Sequence, residues 1–254
     1  LQVHKLSSTN SNIFVHFSVG TDRGLSVFEL QSGANVHTLK GHVGDVLTCK
    51  WSPMKEYLLA TGGSDNKVLL WDVRRAKSCL MNFNRCVTIQ TTKEQPCVNN
   101  FTAHTGSVNS VAFVKNGLKL ISCGTDNTIR LWDTLTGKNE LVDYENYSNR
   151  SKRNIQMDTS RDTNPELLFT PCREGCNIYN IETGSLVNTL KAHFSTVNCC
   201  YYDPFEHELY SGGSDGLVLI WRDENAEMEQ PCVTSESRLS TRIPHGYRLS
   251  AHIR

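Results

Sequence analysis

The sequence predicts an all-β fold built from β-propeller blades, and three observations carry the prediction. Asp65, Asp126 and Asp215 each stand six residues before a tryptophan, at Trp71, Trp132 and Trp221. Each aspartate follows a Ser or Thr by four residues, at Thr61, Ser122 and Ser211. Each set lies downstream of a small residue and a histidine: Gly41-His42, Ala103-His104 and Ala192-His193. A unit recurring every four dozen residues or so cannot bury its apolar face alone, and its stacked copies make a solenoid or a propeller.

The second unit serves as the template. After Gly41-His42, Val43 to Trp51 reads as a strand, with Val46, Thr48 and Lys50 on one face and Leu47, Cys49 and Trp51 on the other. Ser52-Pro53 ends it. Tyr57 to Thr61 is the next strand, and Gly62 to Asn66 is a turn of small and Asx residues. Val68 to Trp71 is the third strand, and a weaker fourth follows. Four strands closed by Trp-Asp make the pattern of a propeller blade. The third unit repeats it with Ser107 to Phe113, Leu118 to Cys123 and Thr128 to Trp132. The last does so with Thr196 to Tyr202, Glu208 to Ser211 and Leu217 to Trp221.

Two degenerate units complete the set. Near the start, Ile13 to Gly20 and Leu25 to Leu30 read as strands, with Phe28 in the tryptophan place and Ser18 and Asp22 at the expected spacing. Between the third and last units, Glu166 to Thr170 and Asn177 to Ile181 read as strands, with Tyr179 in the tryptophan place. There Phe169 and Arg173 replace the Ser/Thr and the Asp, so this blade is expected to lack the polar network. The five blades are placed at 1–38, 39–100, 101–140, 141–190 and 191–222, and 223–254 is expected to be a disordered tail. Because the chain opens on Leu1 with no loop before its first strand, it is expected to lack its natural start and further blades.

The spacing has a physical reason. His42, Thr61, Asp65 and Trp71 can join in one hydrogen-bonded chain, as can His104, Ser122, Asp126 and Trp132, and His193, Ser211, Asp215 and Trp221. A buried member left without its partner costs about 1–3 kcal/mol. The same residue types make a hydrolase triad, but a catalytic constellation occurs once, and here the set occurs three times. The sets are therefore read as scaffold, and the protein as a non-enzyme.

Bulk composition removes other classes. With 26 basic and 26 acidic residues, no global field attracts nucleic acid or an anionic membrane. No apolar run approaches the length of a membrane span. Ten cysteines raise disulfide and zinc readings, yet Cys199-Cys200 point to opposite strand faces and Cys172 and Cys176 have no second pair at ligand spacing. Reduced thiols are expected, implying cytosol or nucleus. No Gly-rich phosphate loop and no metal-ligand cluster occurs, so neither cofactor nor metal is expected. The basic stretch Asn149 to Arg153 reads as a solvated loop, since no aromatic platform accompanies it.

Particular strings narrow the reading. Lys40-Gly41-His42, Trp51-Ser52-Pro53, Leu59-Ala60-Thr61 and Lys67 through Ala76 stand in one stretch. Gly124-Thr125-Asp126-Asn127, Arg130-Leu131-Trp132 and Glu208-Leu209-Tyr210-Ser211-Gly212 follow. On these strings the chain, from about Val19 to Trp221, resembles the Cockayne syndrome group A family of WD-repeat proteins. The resemblance implies a seven-bladed ring, of which five blades are present here. It implies a nuclear substrate receptor of a cullin-four RING ubiquitin ligase, joined through the damaged-DNA-binding adaptor. It also implies work in transcription-coupled nucleotide excision repair, with the Cockayne syndrome group B ATPase and RNA polymerase II as clients. Receptors for this adaptor often carry W-D-x-R, here Trp71-Asp72-Val73-Arg74, which marks Asp72, Arg74 and Arg75 as adaptor-binding. The competing possibility is that Arg74 pairs with Asp72 or a neighbouring blade. The alternative function is that of a general WD-repeat scaffold in another nuclear complex. The family's N-terminal helical segment is not in this sequence, and its acidic, Ser-rich end differs from the Arg-containing end here, where Arg238, Arg242, Arg248 and Arg254 follow the acidic Glu224 to Glu229.

Overall fold

The computed structural model describes residues 2–3, 16–21, 24–29, 35–75, 79–84, 102–148, 151, 154–160, 162–173, 175–223, 239–242 and 248–253. Strands among these residues form five antiparallel sheets in chain order. The chain divides into two compact units, 1–141 with 151–154, and 142–150 with 155–254.

In the first unit, β1 (Gln2–Val3), β2 (His16–Thr21), β3 (Gly24–Glu29) and β4 (Asn35–Lys40) form the first sheet. Its outer strand runs through Lys40, two residues past the expected boundary at 38. The side chains of Ser18 and Phe28, and the whole of Asp22, lie outside the described residues.

The second sheet holds β5 (Val46–Trp51), β6 (Leu58–Gly63), β7 (Val68–Asp72) and β8 (Cys79–Phe83). Its two inner strands are buried at every position, which is why they contain no Lys, Arg or Glu and only one carboxylate, Asp72. Strand alternation sorts their side chains. Leu59, Leu69 and Trp71 pack with Leu25, Val27 and Leu39 of the first sheet. Ala60, Val68 and Leu70 pack with Val108, Val111 and Leu120 of the third. Full burial of one such side chain stabilises by about 1.5–3 kcal/mol, so these two cores hold the three sheets face to face.

The third sheet departs from expectation. It contains β9 (Val108–Phe113), β10 (Lys119–Gly124) and β11 (Ile129–Asp133), three strands rather than four. A single bridge between Trp132 and Asn139 stands where the fourth strand would begin. The chain is turned away by local chemistry. Asp133 accepts the amides of Leu135 and Thr136 at 2.7 and 2.9 Å. Gly137 follows at φ 72° and Leu141 at φ 56°, conformations that end an extended run.

In the second unit, β12 (Asp158–Thr159), β13 (Leu167–Pro171), β14 (Gly175–Asn180) and β15 (Leu186–Lys191) form the fourth sheet. The fifth has the order β16 (Val197–Asp203), β17 (Glu208–Gly213), β18 (Val218–Asp223), β20 (Arg248–Ile253), β19 (Leu239–Arg242). The expectation of a disordered tail after 222 therefore fails at 239–242 and 248–253. There β20 pairs with β18 from Leu219 to Asp223, and β19 pairs with β20. The physical reason is that β18 would otherwise end the sheet with a row of unpaired amides and carbonyls. Phe169, Ile178 and Leu190 of the fourth sheet pack with Val197, Leu209 and Trp221 of the fifth.

Candidate functional site

The three predicted polar chains are all formed. In the second sheet the Trp71 indole donates to Thr61 Oγ1 at 2.8 Å. Thr61 Oγ1 meets His42 Nε2 at 2.7 Å, and His42 Nδ1 meets Asp65 Oδ1 at 2.9 Å. The third sheet repeats this with Trp132 to Ser122 at 2.8 Å, Ser122 to His104 at 2.8 Å and His104 to Asp126 at 2.9 Å. The fifth gives Trp221 to Ser211 at 2.9 Å, Ser211 to His193 at 2.8 Å and His193 to Asp215 at 2.9 Å. With Nδ1 facing a carboxylate, the neutral ring carries its proton there, and Nε2 accepts the hydroxyl proton.

Each aspartate does a second job. In Asp65 and Asp126 the other oxygen accepts the amide of the residue after the histidine, Val43 at 2.9 Å and Thr105 at 2.9 Å. In Asp215 the same Oδ2 that meets His193 also accepts the Phe194 amide at 3.0 Å. The turn bearing it closes by an amide–carbonyl bond from Gly63 to Lys67, Gly124 to Thr128 and Gly213 to Leu217. These three glycines have a shared reason. A Cβ on Gly63 or Gly124 would sit 2.7 Å from the histidine Nδ1 and 2.8 Å from the aspartate Oδ1, and on Gly213 at 2.6 and 2.5 Å. Only hydrogen fits beside the His–Asp pair.

Burial raises the carboxyl of Asp65, but the hydrogen bonds from His42 and the Val43 amide outweigh it and hold the group below its usual range. The same balance lowers Asp215, through the Leu217 amide and His193. Asp126 lies lowest, well below the usual carboxylate range, with burial opposed by His104, the Thr105 amide and the Thr128 hydroxyl. Sequence reasoning gave Arg130 no place in this chain. Its guanidinium donates to the Ala103 carbonyl at 2.6 Å and stands 3.4 Å from Asp126.

Chemically these chains are closed. Thr61, Ser122 and Ser211 are at most 1% exposed, and each hydroxyl is spent between an indole and an imidazole. No substrate carbonyl can reach such an oxygen without displacing the tryptophan. Among the described residues, no group of three or more His, Cys, Asp or Glu is placed to hold a metal ion.

The fourth sheet corrects one expectation. Phe169 and Arg173 do replace the usual polar pair, with Phe169 buried and Arg173 exposed. A polar network is nevertheless present, built from other residues. Asn177 donates to the Tyr179 hydroxyl at 3.1 Å, and Thr189 donates to Asn177 Oδ1 at 3.0 Å. Burial, only partly offset by Asn177, pushes the Tyr179 phenol up to about 12. Tyr144 meets the Tyr179 ring edge-on at 5.8 Å between centroids. Its signal was absent from the sequence because the substituting Asn and Thr stand at different offsets from the aromatic residue.

Asp72 and Arg74 sit at the other end of β7 from the His–Asp turn. Arg74 Nε donates to Asp72 Oδ1 at 2.9 Å and Nη2 to Oδ2 at 2.7 Å, a two-point bond. The guanidinium carbon lies 3.5 Å above the centre of the Tyr57 ring. Of the two possibilities for Arg74, the pair with Asp72 is formed. The side chain of Asp72 is 5% exposed and that of Arg74 is 60% exposed, so Asp72 acts as an anchor, and Arg74 presents itself to solvent. Hydrogen bonding to Arg74 lowers the Asp72 carboxyl and raises the Arg74 guanidinium in turn. Arg75 is exposed, with its amide on the Asp72 carbonyl at 3.1 Å.

With this geometry in hand, comparison with known proteins gives a consistent answer. The family described as "WD domain, G-beta repeat" matches residues 33–72, 95–133 and 184–222. These are WD repeats. Each match ends one residue past the Trp, at Asp72, Asp133 and Arg222, and the first and last begin just before an outer strand, β4 and β15, so that repeat and blade are offset there. WD repeat-containing protein ATCSA-1 of Arabidopsis thaliana is 30% identical over 253 aligned residues, 76% of this chain and 56% of that protein. Periodic tryptophan protein 2 of the same organism is 26% identical over 78% of this chain and 19% of its own length. The chain thus spans about half of one curated WD-repeat relative and about a fifth of the other. The crystal structure of the WD40 β-propeller domain of Doa1 superposes with a TM-score of 0.62 at 20% identity, covering 83% of this chain and 62% of that one. A chain of the mitotic checkpoint complex gives a TM-score of 0.64 at 20% identity over 94% of this chain and 73% of its own. The fold is therefore the WD-repeat β-propeller. No helix among the described residues is long and apolar enough to cross a membrane.

Proposed function

We propose that this WD-repeat chain is the scaffold part of a substrate receptor for a cullin-four RING ubiquitin ligase, working in the nucleus in transcription-coupled nucleotide excision repair. Its direct partner in this reading is the damaged-DNA-binding adaptor, and the Cockayne syndrome group B ATPase and RNA polymerase II are its clients. The observation that carries the reading is Arg74. The exposed guanidinium is fixed by Asp72 on one edge and Tyr57 on one face, so little side-chain entropy remains to be lost when a partner carboxylate or carbonyl meets it. The likeness to ATCSA-1 at 30% identity supports it, against 26% for Periodic tryptophan protein 2. The buried hydroxyls of the His–Asp chains support a binding role over a hydrolytic one.

The test is co-purification. The tagged natural protein, expressed in cells and isolated under mild salt, is expected to bring down the adaptor and the cullin-four scaffold in stoichiometric amount. Recovery of a different stable assembly, with neither of those present, favours the general WD-repeat scaffold instead.

A further inference from the structure

Cys176 and Cys200 touch. In the second unit their sulfurs lie 3.1 Å apart, with Cys200 donating its S–H to Cys176. Both are 0% exposed. Cys176 comes from β14 of the fourth sheet, opposite Leu190 across the ladder, and Cys200 from β16 of the fifth, opposite Ser211. They meet in the core shared with Phe169, Ile178, Leu190 and Trp221. The backbone around Cys200 is pinned, since its amide donates to the Gln156 carbonyl at 2.8 Å. The neighbouring thiols are placed otherwise. Cys199 is exposed, its sulfur turned to the Gly212 carbonyl, and Cys172 is half-buried at the end of β13. A disulfide has its sulfurs about 2.0 Å apart, so the 176–200 pair needs to close by only about 1 Å.

We infer that Cys176 and Cys200 form a built-in oxidation site, which a small hydroperoxide converts to a disulfide that staples the fourth blade to the fifth. The balance is simple. The Cys176 sulfur, as thiolate, attacks one oxygen of hydrogen peroxide and breaks the O–O bond, leaving a sulfenic acid on Cys176 and a hydroxide, which takes up the proton that Cys176 gave up on ionising and becomes water. The Cys200 sulfur attacks that sulfur and breaks the S–O bond, and the departing hydroxide takes up the Cys200 proton as water. Two thiols lose two electrons, one peroxide gains them, and two waters form.

Position explains both selectivity and pace. The S–H···S contact holds the resolving sulfur beside the sulfenic acid, so the second step outruns over-oxidation. Burial and the adjoining thiol push Cys200 above the ordinary thiol range, which makes the pair slow at neutral pH and faster as pH rises. A bulky disulfide reagent does not reach the pair in the folded protein, whereas hydrogen peroxide is close to water in size. The staple spans 24 residues of chain and restrains the unfolded state, so the thermal midpoint of the second unit rises by on the order of 10 °C.

The experiment treats the whole chain with hydrogen peroxide at pH 8, blocks remaining thiols with iodoacetamide, and digests with trypsin without reductant. Cys176 then lies alone in peptide 174–191, and Cys199 and Cys200 share peptide 192–222. The expected product is these two peptides joined, short of their summed mass by two hydrogen atoms. It persists in Cys199→Ser, an exposed change, and disappears in Cys200→Ala. Peptide 174–191 recovered unlinked, or joined to 162–173, overturns the proposal, as does loss of the linked product in Cys199→Ser. The wild-type and Cys199→Ser results decide the matter even if Cys200→Ala does not fold.

Discussion

Asp72 holds Arg74 by two parallel hydrogen bonds, 2.9 and 2.7 Å long, across a separation of only two residues. The corresponding place is used differently in the other WD repeats. After Trp132, Asp133 turns onto the amides of Leu135 and Thr136 and serves its own loop. After Trp221 stands Arg222, bonded to Glu208 on the adjoining strand. Two of these three positions hold a guanidinium on a buried carboxylate, and the Arg74 side chain is the more exposed, at 60% against 39% for Arg222.

The buried polar chains are predicted to matter far more than exposed charge. Asp65→Ala or Asp126→Ala strands a histidine and an amide, and is expected to cost about 1–3 kcal/mol in a urea titration. Arg173→Ala removes an exposed side chain and is expected to cost under about 0.5 kcal/mol. Equal losses at all three positions would contradict the assigned blades.

Gly124→Ala tests the packing beside the same chain. The added methyl would stand 2.7 Å from His104 Nδ1 and 2.8 Å from Asp126 Oδ1, so one of the two must move. The expected loss is at least that of Asp126→Ala, seen as a lower thermal midpoint and as faster hydrogen exchange at the Thr105 amide. A midpoint equal to wild type would show that the turn yields freely.

Acid sensitivity follows from the three lowered carboxyls. Their folded values lie below the unfolded value of about 3.9. The stabilisation is thus fully present above about pH 4, and is lost as pH falls through the folded values, because the unfolded chain then binds more protons. Urea midpoints are expected to be nearly flat from pH 7 to about pH 5 as far as these groups are concerned, and to fall steeply below about pH 4. Asp126→Asn should flatten part of that fall. An unchanged slope in that variant would detach the group from acid unfolding.

Much of this was legible in the sequence because the repeat spacing reports a covalent fact: His, Ser/Thr, Asp and Trp must reach one another across adjacent strands. What could not be read off depends on partners distant in sequence. The Asn177–Tyr179–Thr189 network uses residues whose offsets match no other blade. Arg130 was visible only as a strand residue, since its target is a backbone carbonyl at Ala103. The third sheet stops at three strands because Asp133, Gly137 and Leu141 redirect the backbone, and none of these breaks an alternating pattern. The strands at 239–242 and 248–253 stand outside every repeat unit, so the spacing that marks the blades does not reach them, and their pairing, β20 to β18 and β19 to β20, joins segments distant in sequence from the last Trp. The Cys176–Cys200 contact joins two blades and has no local signature.

The most direct measurement is the affinity of the full natural protein for the damaged-DNA-binding adaptor, taken by calorimetry for wild type, Arg74→Ala and Arg74→Lys. Arg74→Lys keeps a cation beside the buried Asp72 carboxylate, and so separates lost contact from lost structure. Arg74→Ala is predicted to weaken binding by about thirtyfold or more. Arg74→Lys should recover little of it, because an ammonium cannot supply the planar two-point fork. Its thermal midpoint should stay at the wild-type value. Equal affinity for all three proteins would contradict the account and leave this propeller a general WD-repeat scaffold.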